Sequence, residues 1–136
     1  MIIKTITNKV LTALFIISIL IGCSSDSNQN MAKNPMDTGR FFFESILKGD
    51  FKSAKPLLVQ DEANATAIEQ FERFYENVAP ALKSETAIRS WKMEKWEELD
   101  ADNITMVASH EMIPAPITFQ LQRLNGAWVV NFSHFP

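Results

Sequence analysis

Hydrophobic side chains follow two different periods along this chain. From residue 42 to residue 82 they recur every three to four positions, which is the spacing of a buried helix face. From residue 104 to residue 132 they alternate with polar side chains, which is the spacing of a strand with one buried face. This order predicts an α+β fold, in which three N-terminal helices pack on a curved four-stranded antiparallel sheet.

Capping and stop signals divide the first region into helices. Asp37 or Thr38 is expected to cap the first helix, and Gly49 to end it in the left-handed conformation. Asp50 would cap a short second helix, which Pro56 should shorten or kink. A third helix is predicted over residues 64–79, where one face collects Ala67, Ile68, Phe71, Phe74, Tyr75 and Val78, with Leu82 following.

The strand region begins less regularly than it ends. A first strand is expected around residues 86–98, but Trp91 and Met93 have the opposite parity to Ile88 and Trp96. A change of parity within one strand indicates a bulge or a strong bend. The sequence therefore predicts an irregular first strand.

The later strands form hairpins with a defined register. Asn125-Gly126 is the favoured two-residue turn, and folding the chain there places Arg123 opposite Trp128. The same register pairs Leu121 with Val130, Phe119 with Phe132 and Ile117 with His134. The preceding hairpin, with residues 113–116 as its loop, is expected to pair Met112 with Ile117 and His110 with Phe119. These pairs share one apolar face, which a one-residue slip would destroy.

The opposite face of the sheet is polar but nearly uncharged. Its side chains are hydroxyls and amides: Thr118, Gln120, Gln122, Asn131 and Ser133. Because symmetric homodimers join the same patch of two copies, this outer face predicts a homodimer interface.

A short apolar segment precedes the helices. Residues 10–21 follow two lysines and hold no charge, and they are shorter than the roughly 20 residues that span a bilayer. The segment ends in Leu20-Ile21-Gly22-Cys23, which resembles the lipobox of bacterial lipoproteins. The resemblance implies a cleaved leader over residues 1–22 and a Cys23 anchored by acyl chains such as palmitate. An ordinary signal peptide or an uncleaved anchor is the alternative.

The residues after the lipobox suggest a location and a tether. In enterobacterial lipoproteins an Asp after the lipidated Cys favours the inner membrane, so Ser24 points by resemblance to the periplasmic side of the outer membrane. Residues 23–34 are polar and predict a flexible tether. The folded domain is expected over residues 35–136.

Composition excludes several classes of protein. The chain has 136 residues, which allows one domain, and its single Cys cannot form an internal disulfide. From Cys23 onward there are 11 basic and 16 acidic side chains. An acidic domain does not favour nucleic acid, because basic side chains supply most of that affinity.

Two segments carry a resemblance to a known family. Leu47-Lys48-Gly49-Asp50-Phe51 joins the first helices, and Asn125-Gly126-Ala127-Trp128 forms the last hairpin. With the helix-then-sheet order, this resembles the nuclear-transport-factor-2-like superfamily over residues 35–136, and more narrowly the small bacterial lipoproteins that carry such a domain. The resemblance implies a cone with a pocket at its open end, and pairs of domains joined through the outer sheet face. Isomerases, dehydratases and non-catalytic binding domains all occur there, so the fold leaves the function open.

The candidate chemistry is sparse. His110 and His134 fall on the predicted inner face. One interpretation makes them a general base or metal ligands, and the other makes them hydrogen-bonding caps of the pocket. An isomerase would need an inward carboxylate, and the inner positions of the last three strands carry none. No metal is expected, because the histidines lack a third ligand and residues 100–111 lack the Gly of a calcium loop. The residues expected to line the pocket are Tyr75, Trp91, Met106, His110, Phe119, Arg123, Trp128 and His134.

The sequence thus predicts a lipid-anchored envelope protein without a cofactor or a catalytic residue. It would bind a small apolar ligand in its cone or a protein partner on its sheet. The alternative is an enzyme resembling ketosteroid isomerases or dehydratases, which would use an inner-face histidine or carboxylate.

Overall fold

The computed structural model describes residues 33–136, and the predicted leader and residues 23–32 of the predicted tether lie outside them. The elements are α1 Pro35–Lys48, α2 Phe51–Ala54, α3 Glu62–Glu76, α4 Glu85–Ile88, β1 Lys92–Asp100, β2 Asn103–Ser109, β3 Ile117–Leu124 and β4 Ala127–Asn131. Short 3₁₀ turns occupy Lys55–Leu57 and Pro80–Lys83. The strands form one open antiparallel sheet in the order β1-β2-β3-β4, so the α+β class is confirmed.

The described region holds four α-helices rather than the predicted three. The additional helix, α4, occupies residues that we expected to begin the first strand, and β1 starts only at Lys92. The Ser84 hydroxyl caps α4 by accepting a hydrogen bond from the Ala87 N–H at 3.3 Å, and Ile88 is buried in the core. A helix of four residues is too short to show a helical period, which is why the sequence pattern missed it.

The cap of α1 differs from the prediction. Neither Asp37 nor Thr38 caps the helix, because Asn34 does: its Oδ1 accepts from the Met36 N–H at 2.9 Å and the Asp37 N–H at 3.4 Å. Pro35 then occupies the first turn, where its missing N–H costs nothing. The cap therefore lies three residues before the earlier of the two predicted caps.

The signals between the first two helices are confirmed. Gly49 ends α1 with φ of 72°, in the left-handed region. The Asp50 carboxylate accepts a hydrogen bond from the Ser53 N–H at 3.1 Å and so caps α2. Pro56 lies in the 3₁₀ turn that follows Ala54, so the helix is shortened as expected.

The irregularity of the first strand is also confirmed. The β1–β2 register shifts between Met93 and Lys95, so that Met93 faces Ala108 while Trp96 faces Met106. This bulge brings two side chains of unlike parity, Met93 and Trp96, to the same half-buried face.

One hairpin register is confirmed and the other is wrong. Arg123 pairs with Trp128 and Leu121 with Val130, around a turn in which Asn125 and Gly126 have φ of 51° and 78°. The predicted pairs of Phe119 with Phe132 and of Ile117 with His134 fall outside the ladder, which ends where Gln120 pairs with Asn131. In the other hairpin Phe119 faces Met106 and Ile117 faces Ala108, four residues away from the predicted partners His110 and Met112.

The core lies between the helices and the inner face of the sheet. Phe42 of α1 is at its centre and meets Phe119 and Phe132 edge-on, with ring centroids 5.6 and 5.5 Å apart. The largest fully buried side chains are Phe42, Phe43, Ile46, Leu47, Ile68, Phe71, Met106, Ile117, Phe119, Leu121, Val130 and Phe132. The helices therefore cover the inner face, as the alternating pattern predicted.

Candidate functional site

The residues predicted to line a pocket do not meet in one site. Met106 and Phe119 are 0% and 1% exposed and belong to the core, and Trp128 is buried as well. Phe119 packs against both Phe42 and Phe43, with centroids 5.6 and 6.3 Å apart. These side chains fill the inner face of the sheet instead of lining an opening there.

His110 is held by the main chain on both sides of its ring. Nδ1 accepts a hydrogen bond from the Met112 N–H at 2.9 Å, so Nε2 carries the proton and donates to the Ala87 carbonyl oxygen at 2.6 Å. The side chain is 6% exposed and ties the loop after β2 to α4. Its geometry is that of a structural cross-link between a loop and a helix, which agrees with a hydrogen-bonding role for this residue.

His134 was expected on the inner face, and this placement was wrong. It follows β4 and is exposed, because the strand ends at Asn131. It lines an open groove of about 650 Å³ beside the start of α3, together with Asp61, Glu62, Ala63, Thr66, Ala67, Gln70 and Ser133. Within the described residues no three His, Cys, Asp or Glu side chains are grouped to hold a metal ion.

Tyr75 and Trp91 pack at separate edges of the helical layer. Tyr75 lies against Gly49 and meets Phe51 edge-on at 5.7 Å, while the Lys83 ammonium sits 4.4 Å from its ring centroid. Partial burial raises the pKa of the Tyr75 hydroxyl. Trp91 meets Phe43 edge-on at 5.2 Å and donates from Nε1 to Glu44 Oε1 at 3.3 Å.

Arg123 closes the turn end of the sheet. Its Nε lies 2.7 Å from Asp102 Oδ1, its Nη2 donates to the Ala101 carbonyl at 3.0 Å, and its guanidinium lies 5.4 Å from the Trp128 ring. The predicted pairing of Arg123 with Trp128 therefore brings the guanidinium over the ring, and Asp102 adds a salt bridge. The guanidinium thus bonds the turn between β1 and β2, so Arg123 has a structural role in stabilising that turn.

A second groove runs beside the other side of α3. It measures about 540 Å³ and is lined by Lys55, Leu58, Val59, Gln60, Asp61, Glu62, Ala65, Ile68 and Glu69. In its wall the Val59 N–H donates to the Val130 carbonyl at 2.9 Å, which holds this segment against the outer edge of β4. Sequence reasoning missed this groove, since a single tertiary hydrogen bond carries no sequence pattern.

The acidic turn between β1 and β2 has no metal-like arrangement. Asp100 Oδ1 accepts from the Asp102 N–H at 2.8 Å and from Asn103 Nδ2 at 3.0 Å, and these hydrogen bonds lower the pKa of Asp100. The carboxylate of Asp100 thus stabilises the turn by hydrogen bonds within it.

The outer sheet face is the broad free surface of the sheet. It is formed by alternate residues of β2, β3 and β4, which include Thr105, Val107, Thr118, Gln120, Gln122, Val129 and Asn131. Thr118 is exposed and the others are half-buried, and none is charged. Asn131 also accepts from Asn64 of α3 at 3.2 Å, and Ser133 follows the strand rather than extending the face. The predicted uncharged character is therefore confirmed for β2, β3 and β4, whereas β1 adds Lys92, Lys95 and Glu97 to the same side of the sheet.

In comparisons with known proteins, no protein-family model, curated protein or solved structure matches the chain. Among residues 33–136, none of the helices has the length and apolar character needed to cross a membrane.

Proposed function

We propose that this chain is a lipid-anchored protein of the bacterial cell envelope, held at the outer membrane through Cys23. The domain is a binding module of nuclear-transport-factor-2-like type, and its working surface is the outer sheet face. The anchor rests on the lipobox-like spacing of Leu20, Gly22 and Cys23 and on the Ser at position 24. The domain assignment rests on the helix-then-sheet order and on the confirmed turns at Gly49 and Asn125-Gly126.

One observation carries the binding proposal, namely that the neutral outer sheet face belongs to an acidic domain. Acidic side chains exceed basic ones by 16 to 11 from Cys23 onward, yet β2, β3 and β4 place only hydroxyl, amide and aliphatic side chains on this face. Burying such side chains does not require the desolvation of a charge. Their amides and hydroxyls both donate and accept, which fits a partner surface that is polar and uncharged.

The inner face supports a protein partner over a small ligand in the cone. Phe119, Met106 and Leu121 are at most 1% exposed and pack against the helices. A ligand there would have to displace core side chains, whereas a partner on the outer sheet face displaces water alone. We therefore propose that a protein binds the outer sheet face. The crosslinking experiment below shows whether that protein is a second copy of this chain.

Site-specific photo-crosslinking in the membrane-bound, full-length chain tests the proposal. A photoreactive residue at Thr118, which is exposed on the outer sheet face near the start of β3, is expected to give one discrete crosslinked product of higher mass. The same residue at Glu76, which is exposed at the end of α3, should give none. A product of twice the chain mass identifies a second copy as the partner, and equal labelling from both positions would overturn the proposed face.

The anchor is tested separately. Replacement of Cys23 by Ala should abolish incorporation of labelled palmitate and leave the leader uncleaved. A conservative Ser24→Thr variant should keep both, and normal labelling of the Cys23→Ala protein would overturn the lipid anchor.

A further inference from the structure

β1 is an edge strand with an unpaired side. Within residues 33–136 it pairs with β2 alone, and its nine residues give a free edge about 30 Å long. Natural edge strands are protected by being short, by carrying charges or by being covered. This edge is long and exposed, and the order of its charged side chains favours pairing with a second copy of the same strand.

The central part of β1 is self-complementary. Residues 92–97 read Lys-Met-Glu-Lys-Trp-Glu, with two positive and two negative side chains. The bulge makes Met93 and Trp96 two ladder steps apart on the same face, with Glu94 and Lys95 between them. A two-fold axis through Glu94-Lys95 would therefore bring Met93 of one copy opposite Trp96 of a second, antiparallel copy.

The same register pairs opposite charges on the outer side of the strand. Lys92 faces Ser109 and Glu97 faces Thr105 across β2, so both point to the outer face. In the antiparallel pair Lys92 of one copy meets Glu97 of the other at two symmetric positions. Each Glu97 also forms a salt bridge with Lys95 of its own strand at 2.6 Å, so Lys92 of the second copy would be its second cationic partner. A slip by one residue would instead place Glu94 opposite Glu94 or Lys95 opposite Lys95 of the second copy. Like charges directly opposite are unfavourable, so the charge order selects one register.

We infer that β1 is a self-association edge, through which two copies of this chain form one continuous eight-stranded sheet. The pair covers the half-exposed Met93 and Trp96 side chains and supplies partners for the free N–H and C=O groups of β1. It leaves the outer sheet faces of both copies open on the same side, because an axis perpendicular to the sheet does not exchange its faces. The inference is independent of what binds those faces.

A charge swap on the full-length chain, solubilised in mild detergent, tests this edge. Lys92→Glu and Glu97→Lys each place two pairs of like charges across the interface and should weaken dimerisation about tenfold. The double variant restores opposite charges at both positions and should dimerise like the original chain. Lys52→Glu, which changes an exposed lysine on α2, is the matched control and should have no effect. Sedimentation velocity measures the dissociation constant.

Three results would overturn the edge pairing. These are a monomeric original chain, a double variant as weak as either single variant, and a dimer that is lost on Gln120→Lys but kept on Lys92→Glu. The last result would place the two-fold contact on the outer sheet face instead. Photo-crosslinking from Thr118 to a different protein could still succeed in all three cases, so failure of the edge and failure of the proposed function are distinguishable.

Discussion

Asn64 at the start of α3 is hydrogen-bonded to the main chain of Phe132 just beyond β4. Asn64 Oδ1 accepts from the Phe132 N–H at 2.6 Å, and Nδ2 donates to Asp61 Oδ1 at 2.8 Å and to Asn131 Oδ1 at 3.2 Å. Asn64 is fully buried, so these bonds form without competition from water. One side chain thus joins the helical layer to the edge of the sheet.

Asn64→Ala should destabilise the domain strongly. The substitution leaves the buried Phe132 N–H without its acceptor, which costs about 2–3 kcal/mol in the free energy of unfolding. Asn77→Ala is the control, because Asn77 is exposed and its side chain donates to the Arg73 carbonyl in the last turn of α3, at 2.9 Å. Urea unfolding measures both changes, and equal losses for the two variants would contradict this role of Asn64.

Gly49→Ala should destabilise the domain more than Gly126→Ala. Both glycines have positive φ, which costs about 1 kcal/mol for a residue with a side chain. A Cβ at Gly49 would in addition lie 2.6 Å from Cε1 of Tyr75, whereas nothing lies within 4 Å of one at Gly126. We expect about 2–4 kcal/mol for Gly49→Ala in thermal or urea unfolding. A loss at Gly126 as large as that at Gly49 would show that the Tyr75 contact is unimportant.

Phe119→Ala should cost about 3–5 kcal/mol, because it empties the centre of the core between Phe42 and Phe43. Thr118→Ala changes the adjacent, exposed residue on the outer sheet face and should stay within about 0.5 kcal/mol. The pair of variants, measured by urea unfolding, also tests the strand register. Reversed effects would mean that β3 presents its other face to the helices.

Acid should weaken the start of α3 through Asp61. The N–H and the side chain of Asn64 both donate to its carboxylate, and these hydrogen bonds hold the pKa of Asp61 below its ordinary value of 3.8. Because the folded pKa is the lower one, the stabilisation is complete above pH 3.8 and is lost as the pH falls through the folded pKa. Asp61→Asn keeps a capping side chain and should flatten this part of the pH–stability curve. A carboxyl resonance of Asp61 that titrates at or above pH 3.8 would contradict the assignment.

The sequence predicted those features of the fold that depend on residues close together along the chain. The turn at Asn125-Gly126, the stop at Gly49 and the bulge near Met93 each follow from a local conformational preference. The β2–β3 register was missed because a shift by four residues preserves the alternation of faces. The extra loop residues are held by His110, whose ring bonds Met112 and Ala87.

The candidate site was predictable in its character but not in its details. The uncharged outer sheet face follows from the parity of β3 and β4, which the turn fixes. The pocket residues were misplaced because alternation identifies a buried side chain without saying whether it meets another side chain or a cavity. Met106 and Phe119 meet the helices. Asn64 gave no signal at all, since its partners are a distant N–H and an amide.

Binding at the outer sheet face is tested most directly when the Thr118 photo-crosslink is combined with a charge on that face. Gln120 pairs with Thr105 and Asn131 in the middle of that face, so Gln120→Lys would bury a charge under any bound partner. We expect Gln120→Lys to abolish the crosslinked product in membranes and Glu76→Lys on α3 to leave it unchanged. An undiminished product from the Gln120→Lys protein would contradict the assignment of the outer sheet face as the binding surface.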